Sequence, residues 1–131
     1  MSFGDESLTH ISPQMIESCF KDPKNAISKL FKMIHYDKNK KENYNVKMDS
    51  PDSKYIQMYK NGAWEYNKTK PALELIADTN FKILEKYNTS NLKQLEQEEW
   101  DKFYCQTLDE EQDVIDSTQN KLLLVIIKET C

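Results

Sequence analysis

Asn61-Gly62 constrains this chain more than any other pair of neighbours. A type I′ two-residue β-hairpin turn needs positive φ at both central positions, and asparagine followed by glycine tolerates that best. Glycine occurs only twice in 131 residues, so its placement here is informative. Strand formers flank it on both sides: Tyr55-Ile56-Gln57-Met58-Tyr59 before, Ala63-Trp64-Glu65-Tyr66 after. Further upstream, Tyr44, Val46 and Met48 alternate with polar residues in the period of a half-buried strand. Ser50-Pro51-Asp52-Ser53 supplies the turn between. Residues 44–67 therefore predict a three-stranded antiparallel meander.

Helical patterns lie on either side. Phe3, Leu8 and Ile11 punctuate an extended lead-in that is expected to dock on the body. Ser12-Pro13 reads as an N-cap followed by a first-turn proline, and Met15, Ile16, Cys19 and Phe20 continue as one apolar stripe. Asp22-Pro23 repeats the start signal, and Ile27, Leu30, Phe31 and Ile34 carry a second helix to His35 or Tyr36. After the meander, Thr69 and Pro71 open a helix whose stripe runs from Leu73 through Tyr87 to about Asn88. Thr89 or Ser90 caps the next, which carries Leu92, Leu95, Trp100, Phe103 and Tyr104 to about Cys105. Thr107-Leu108-Asp109-Glu110 matches a capping box for the last helix. That helix places Ile115, Thr118, Leu122 and Val125 on a heptad-like seam, although Val125-Ile126-Ile127 also suits a strand. The fold class expected is α+β: a single domain over residues 1–131, with two helices in 1–36, the meander in 44–67 and three helices in 69–130.

The charge balance narrows the function. Acids number 22 against 18 basic residues, and every basic residue is lysine. Arginine is the planar fork that reads guanine edges and grips phosphate in pairs of hydrogen bonds. Without it, sequence-specific DNA reading is disfavoured, while lysine contact with a phosphate backbone remains open. Abundant lysine, asparagine, isoleucine and tyrosine together also fit the coding bias of an AT-rich genome. Cys19, Cys105 and Cys131 are odd in number and far apart, and the N-terminal segment is polar and acidic. These features suggest free thiols in a reducing compartment. The longest apolar run, Leu122 to Ile127, has six residues, whereas a membrane-spanning helix needs about 20. No membrane association is expected.

No set of residues calls for catalysis, a metal or a cofactor. His10, His35 and the three cysteines lack the close spacings of a zinc site. An HNH-type metal nuclease needs a histidine base, an asparagine and a second histidine. Here His35 is followed by Asn43, Tyr44 and Asn45, and tyrosine, with a pKa of about 10, cannot act as a neutral imidazole does. No nucleophile elbow occurs. The carboxylates between Glu96 and Asp113 fit solvated helix faces and helix starts. The chain thus reads as a non-enzyme.

Two surfaces stand out instead. Lys38, Lys40 and Lys41 precede the meander, whose Tyr44, Tyr55 and Trp64 supply aromatic rings. Lysines interleaved with aromatics suit a partner protein or a single-stranded nucleic acid, whose bases stack on any π-face. Alternatively, the rings pack on the helices and the lysines are merely solvated. The second surface is the C-terminal seam, where Ile115, Leu122, Val125 and Ile126 suit a homodimer or a simple core.

Several strings, taken in order, carry a resemblance. They are Phe3-Gly4-Asp5-Glu6-Ser7-Leu8, Ile34-His35-Tyr36-Asp37, Glu42-Asn43-Tyr44-Asn45-Val46, Lys54-Tyr55, Asn61-Gly62-Ala63-Trp64 and Ile83-Leu84-Glu85-Lys86-Tyr87. Together they resemble a C-terminal domain of hypothetical proteins from nucleocytoplasmic large DNA viruses, mimivirus-like viruses especially. The resemblance covers most of residues 3–90. In that family the string around position 44 tends to read asparagine-histidine-asparagine-valine, so Tyr44 is a departure that weakens any family metal site here. Such domains often follow a zinc finger or coiled coil, which implies a partner or assembly role in nucleic-acid-associated viral complexes. No zinc finger is present here, so a DNA-binding role is not carried over.

The expected function is therefore a non-enzymatic interaction or assembly module. Its partner would be a viral or host protein, or a second copy, in the host cytoplasm, the viral factory or the virion. A direct single-stranded nucleic-acid binder is the alternative, and a divergent HNH-like nuclease the third reading.

Overall fold

The structure, a computed structural model, describes residues 1–87 and 89–131. Ser12 caps α1 (Pro13–Phe20) as its sequence predicts: its Oγ accepts from the Met15 N–H at 3.2 Å, and Pro13 takes the first turn. Ile16, Cys19 and Phe20 are buried. Asp22-Pro23 does not start the next helix directly. Pro23–Asn25 form a single 3-10 turn, and the Asp22 carboxylate is spent on the Asn25 side-chain amide. Helix α2 (Ala26–His35) follows and is the centre of the molecule, packing against α1 and the later helices. Ala26, Ile27, Leu30, Phe31 and Ile34 are all buried. Burying each of the larger side chains is worth about 1.5–3 kcal/mol.

The sheet has the expected three antiparallel strands in sequential order: β1 (Val46–Lys47), β2 (Tyr55–Lys60) and β3 (Ala63–Lys68). The hairpin turns on Asn61 at φ +52° and Gly62 at φ +85°, and Lys60 pairs with Ala63 and Tyr59 with Trp64. Strand β1 is shorter than the alternation of Tyr44, Val46 and Met48 suggests, because residues 41–43 wind into a 3-10 turn first. Val46, Ile56 and Met58 face the helices and are fully buried. Strand β3 contributes no residue to the core among the described residues.

Helix α3 (Thr69–Glu85) leaves β3 without a loop. The predicted end at Asn88 lies outside the described residues. Helix α4 (Gln94–Leu108) starts later than Thr89 or Ser90 would place it: the Glu96 carboxylate accepts from the Lys93 N–H, which sets the first turn there. The Thr107–Glu110 capping box does not form. Thr107 is still inside α4, where its hydroxyl donates to Phe103 O, and Glu110 takes a positive φ of 54°. Helix α5 (Gln112–Thr130) begins after it and stays helical through Val125-Ile126-Ile127.

Two of the four C-terminal seam residues are core. Leu122 and Ile126 are fully buried as α5 lies against α2, α3 and β1. Val125 packs partly on the same cluster, and Ile115 is half-buried beside Ala77 and Phe81. Leu122 and Ile126 therefore have no surface to offer for self-association, while Ile115 and Val125 keep part of theirs. The exposed apolar side chain on this helix is Leu124.

Candidate functional site

Alternation decides what the outer face of the sheet presents. Since Val46, Ile56 and Met58 point inward, Lys47, Tyr55, Tyr59, Trp64 and Tyr66 must point outward. No helix covers them. Tyr55 is 46% exposed and Tyr66 61% exposed, with their rings 6.2 Å apart. At the other end Tyr44 meets Trp64 edge-on at 6.5 Å, and Trp64 meets Tyr59 at 5.5 Å. Lys47 Nζ lies 4.2 Å above the Trp64 ring, a cation–π contact that holds both. Between the two ends, Asp49 accepts from the Gln57 amide and from the Tyr66 hydroxyl. Tyr55, Tyr59, Trp64 and Tyr66 thus decorate the outside of the sheet, whereas Tyr44, ahead of β1, packs edge-on against Tyr36 at the end of α2 as well as on Trp64.

The lysines divide. Lys38 and Lys41 line a cleft of about 400 Å³ with Tyr36, Tyr44 and Glu129, at the Tyr44 end of the face. Lys40 turns away and is spent on Thr9 Oγ1 at 3.1 Å and Glu42 at 3.8 Å. Of the six contact residues singled out by sequence, Tyr44, Trp64, Lys38 and Lys41 share one end, Tyr55 occupies the other, and Lys40 is off the face.

Beneath this end lies a polar network that sequence reading missed. Asn43 and Asn45 flank Tyr44 but turn inward, and both are fully buried. His35 Nδ1 faces two acceptors, Asn45 Oδ1 at 2.7 Å and Asn43 O at 3.1 Å, so this nitrogen carries the ring proton. Its Nε2 faces the Glu6 carboxylate at 3.6 Å. Glu6 also accepts from Gly4 N–H and from Asn45 Nδ2 at 3.1 Å. The Asn43 side chain pairs with both backbone groups of Ser7, at 3.0 and 2.7 Å. Phe3 stacks on the His35 ring and donates its N–H to Tyr59 O at 2.8 Å. His10 fastens the same segment to α2 through Met33 O at 2.8 Å.

Residues 1–11 thus form a strap across the His35 end of α2, as the docked lead-in predicted. Residues 3–8, 34–37 and 42–46 meet here in space. Glu6 favours a charged His35, but at 3.6 Å it is beyond hydrogen-bonding length. Loss of solvent outweighs it and holds the His35 pKa below its ordinary value. The ring is 3% exposed, its Nδ1 is hydrogen-bonded within the protein and its Nε2 is closed off from solvent by Glu6. Tyr44, where an HNH-type site would need an imidazole, turns the other way. Among the described residues no three His, Cys, Asp or Glu side chains converge on a possible metal position.

Sequence could have found this network through its unusual density of asparagine around a lone histidine. It could not have supplied Glu6, 29 residues away in the chain. Compared with protein-family models, curated proteins and solved structures, the chain matches none.

Proposed function

We propose that this chain is a non-enzymatic protein-interaction module whose docking surface is the outer face of its sheet. The observation that carries this reading is the set of outward aromatics, Tyr55, Tyr59, Trp64 and Tyr66, with Tyr44 at its edge, above a sheet whose inner face alone serves the core. Tyrosine and tryptophan are the anchors that dominate protein interfaces, because each brings large area at little conformational cost. The surrounding segment favours an acidic partner: residues 37–70 hold eight lysines against five acids. The resemblance to domains of large DNA viruses supports a setting in nucleic-acid-associated viral complexes, in the host cytoplasm or the virion.

Direct binding of single-stranded nucleic acid is less well supported. The rings meet edge to edge and Lys47 caps Trp64, which leaves few free π-faces for bases. Asp49 puts a carboxylate in the middle of the face, where a phosphate backbone would run. A peptide-display selection against the folded protein tests the proposal. Acidic binders that lose affinity at least tenfold with Trp64→Ala are the expected result. A selection yielding only binders indifferent to Trp64→Ala overturns it. Titration with single-stranded DNA and RNA tests the alternative: tight binding that weakens steeply with salt and needs Trp64 would favour a nucleic-acid partner instead.

A further inference from the structure

Helix α3 starts at the end of β3 and runs 17 residues away from the sheet, a distance of about 25 Å. Helix α5 makes the return journey, and its Thr130 hydroxyl accepts from the Met48 N–H beside β1. Helix α4 and the two turns around it therefore occupy the pole opposite the sheet, where α4 packs on α1, the 23–25 turn and α5.

The two poles carry opposite charge. Residues 37–70 have eight lysines and five acids, a net of +3, whereas residues 85–116 have three lysines and ten acids, a net of −7. Together these give the chain's total of −4, so the remaining residues sum to zero; among them Lys21, Asp22 and Lys24 border the far pole, and Asp5, Glu6 and Glu129 border the sheet pole. Lys21, Lys24 and Lys102 share a cavity with Glu99 and Asp113, but none pairs with them. Among the described residues no ion pair involves any of the ten. This pole also exposes Leu95 and Leu108, at 66% and 56%. Leucines among acids are the chemical complement of tyrosines among lysines.

We propose that the acidic α4 pole of one copy docks on the aromatic sheet face of the next, giving head-to-tail assembly. The proposal rests on the sheet face being a docking surface and names its occupant: a second copy of this chain. Charge chooses the symmetry. A two-fold contact would set like pole against like pole, which costs energy at low ionic strength. Only the heterologous arrangement pairs opposite signs, and such a contact leaves one free pole at each end for further growth.

The test uses sedimentation velocity on the full chain. At about 20 mM salt, where screening is weak, the protein should form a series of species that grows with concentration. At about 0.5 M salt, where charges more than a few ångströms apart are screened, it should return to the 15.5 kDa monomer. Lys38→Glu/Lys41→Glu/Lys54→Glu takes the sheet pole from +3 to −3, and Glu98→Lys/Asp101→Lys/Glu111→Lys brings the acidic pole from −7 to −1. All six positions are exposed, and circular dichroism verifies that both variants fold. Each variant alone should be monomeric at low salt. Mixed one to one they should form a heterodimer that stops at two, because only one intact pole of each kind remains.

A wild-type monomer at low salt and high concentration overturns the assembly. So does a mixture that fails to pair, or a variant that still grows alone. Trp64-dependent peptide binding by a monomeric wild type would leave the docking face standing while removing the second copy as its occupant.

Discussion

Replacing Asn45 by alanine should remove the keystone of the strap. Its side chain is fully buried and makes three hydrogen bonds, to His35 Nδ1 at 2.7 Å, Glu6 Oε1 at 3.1 Å and Met1 O at 3.2 Å. No buried partner is left wholly bare, since His35 keeps Asn43 O, Glu6 keeps the Gly4 N–H and Met1 is exposed to water. The loss is therefore three net hydrogen bonds. Two neutral ones contribute about 1 kcal/mol each and the one to a carboxylate about 1.5–3 kcal/mol. Asn45→Ala should thus cost about 3–5 kcal/mol, a large part of the roughly 5–15 kcal/mol that holds a domain of this kind together. Urea denaturation followed by circular dichroism measures it, with an unchanged m-value showing that the transition stays two-state. In a thermal scan the loss should lower the midpoint by about 10–15 °C. A cost below about 1 kcal/mol would refute the reasoning, because it would mean that water satisfies the network as well as Asn45 does.

Three further outcomes follow from the same geometry. Stability should fall as pH drops below about 6.5, the ordinary histidine value. Burial lowers the folded-state pKa of His35, so the unfolded chain takes the proton first and gains the advantage until the folded pKa is passed. His35→Gln should flatten that part of a urea-midpoint profile, and a profile unchanged by the substitution would contradict the assignment. Leu122→Ala should cost about 2–5 kcal/mol with no change in the mass measured at high salt; a stable variant of altered mass would return this residue to an interface. Burial pushes the Cys19 thiol up to about 11, so a thiol reagent at neutral pH should modify Cys105 and Cys131 in the native protein, and Cys19 only after denaturation.

Local physics made much of the fold readable. Asn61-Gly62 determined the hairpin because few dipeptides accept two positive φ values. Ser12-Pro13 located α1 because a cap and a fixed φ act within one turn. The failures came where distant contacts outrank local chemistry. Thr107 has the credentials of a cap, yet Trp100 and Phe103 bury into the core and draw α4 one turn further. Leu122 and Ile126 looked surplus because a periodic stripe does not reveal how much surface α2, α3 and β1 leave to be covered. At the candidate site, sequence identified Tyr44, Tyr55 and Trp64 but not which side of the sheet they take. That depends on which residues the helices claim, and Val46, Ile56 and Met58 claim the inside. The strap network was hidden because it joins the N-terminal segment to residues 23 or more positions further along the chain.

Strand β3 adds its hydrogen-bond ladder to the fold and nothing to its interior. Selection on foldability should therefore act weakly on most of its side chains. Trp64, Glu65, Tyr66 and Asn67 can drift, or be randomised in a library, with little penalty to the scaffold. A recognition surface on such a strand can change its partner faster than the rest of the chain can change its shape.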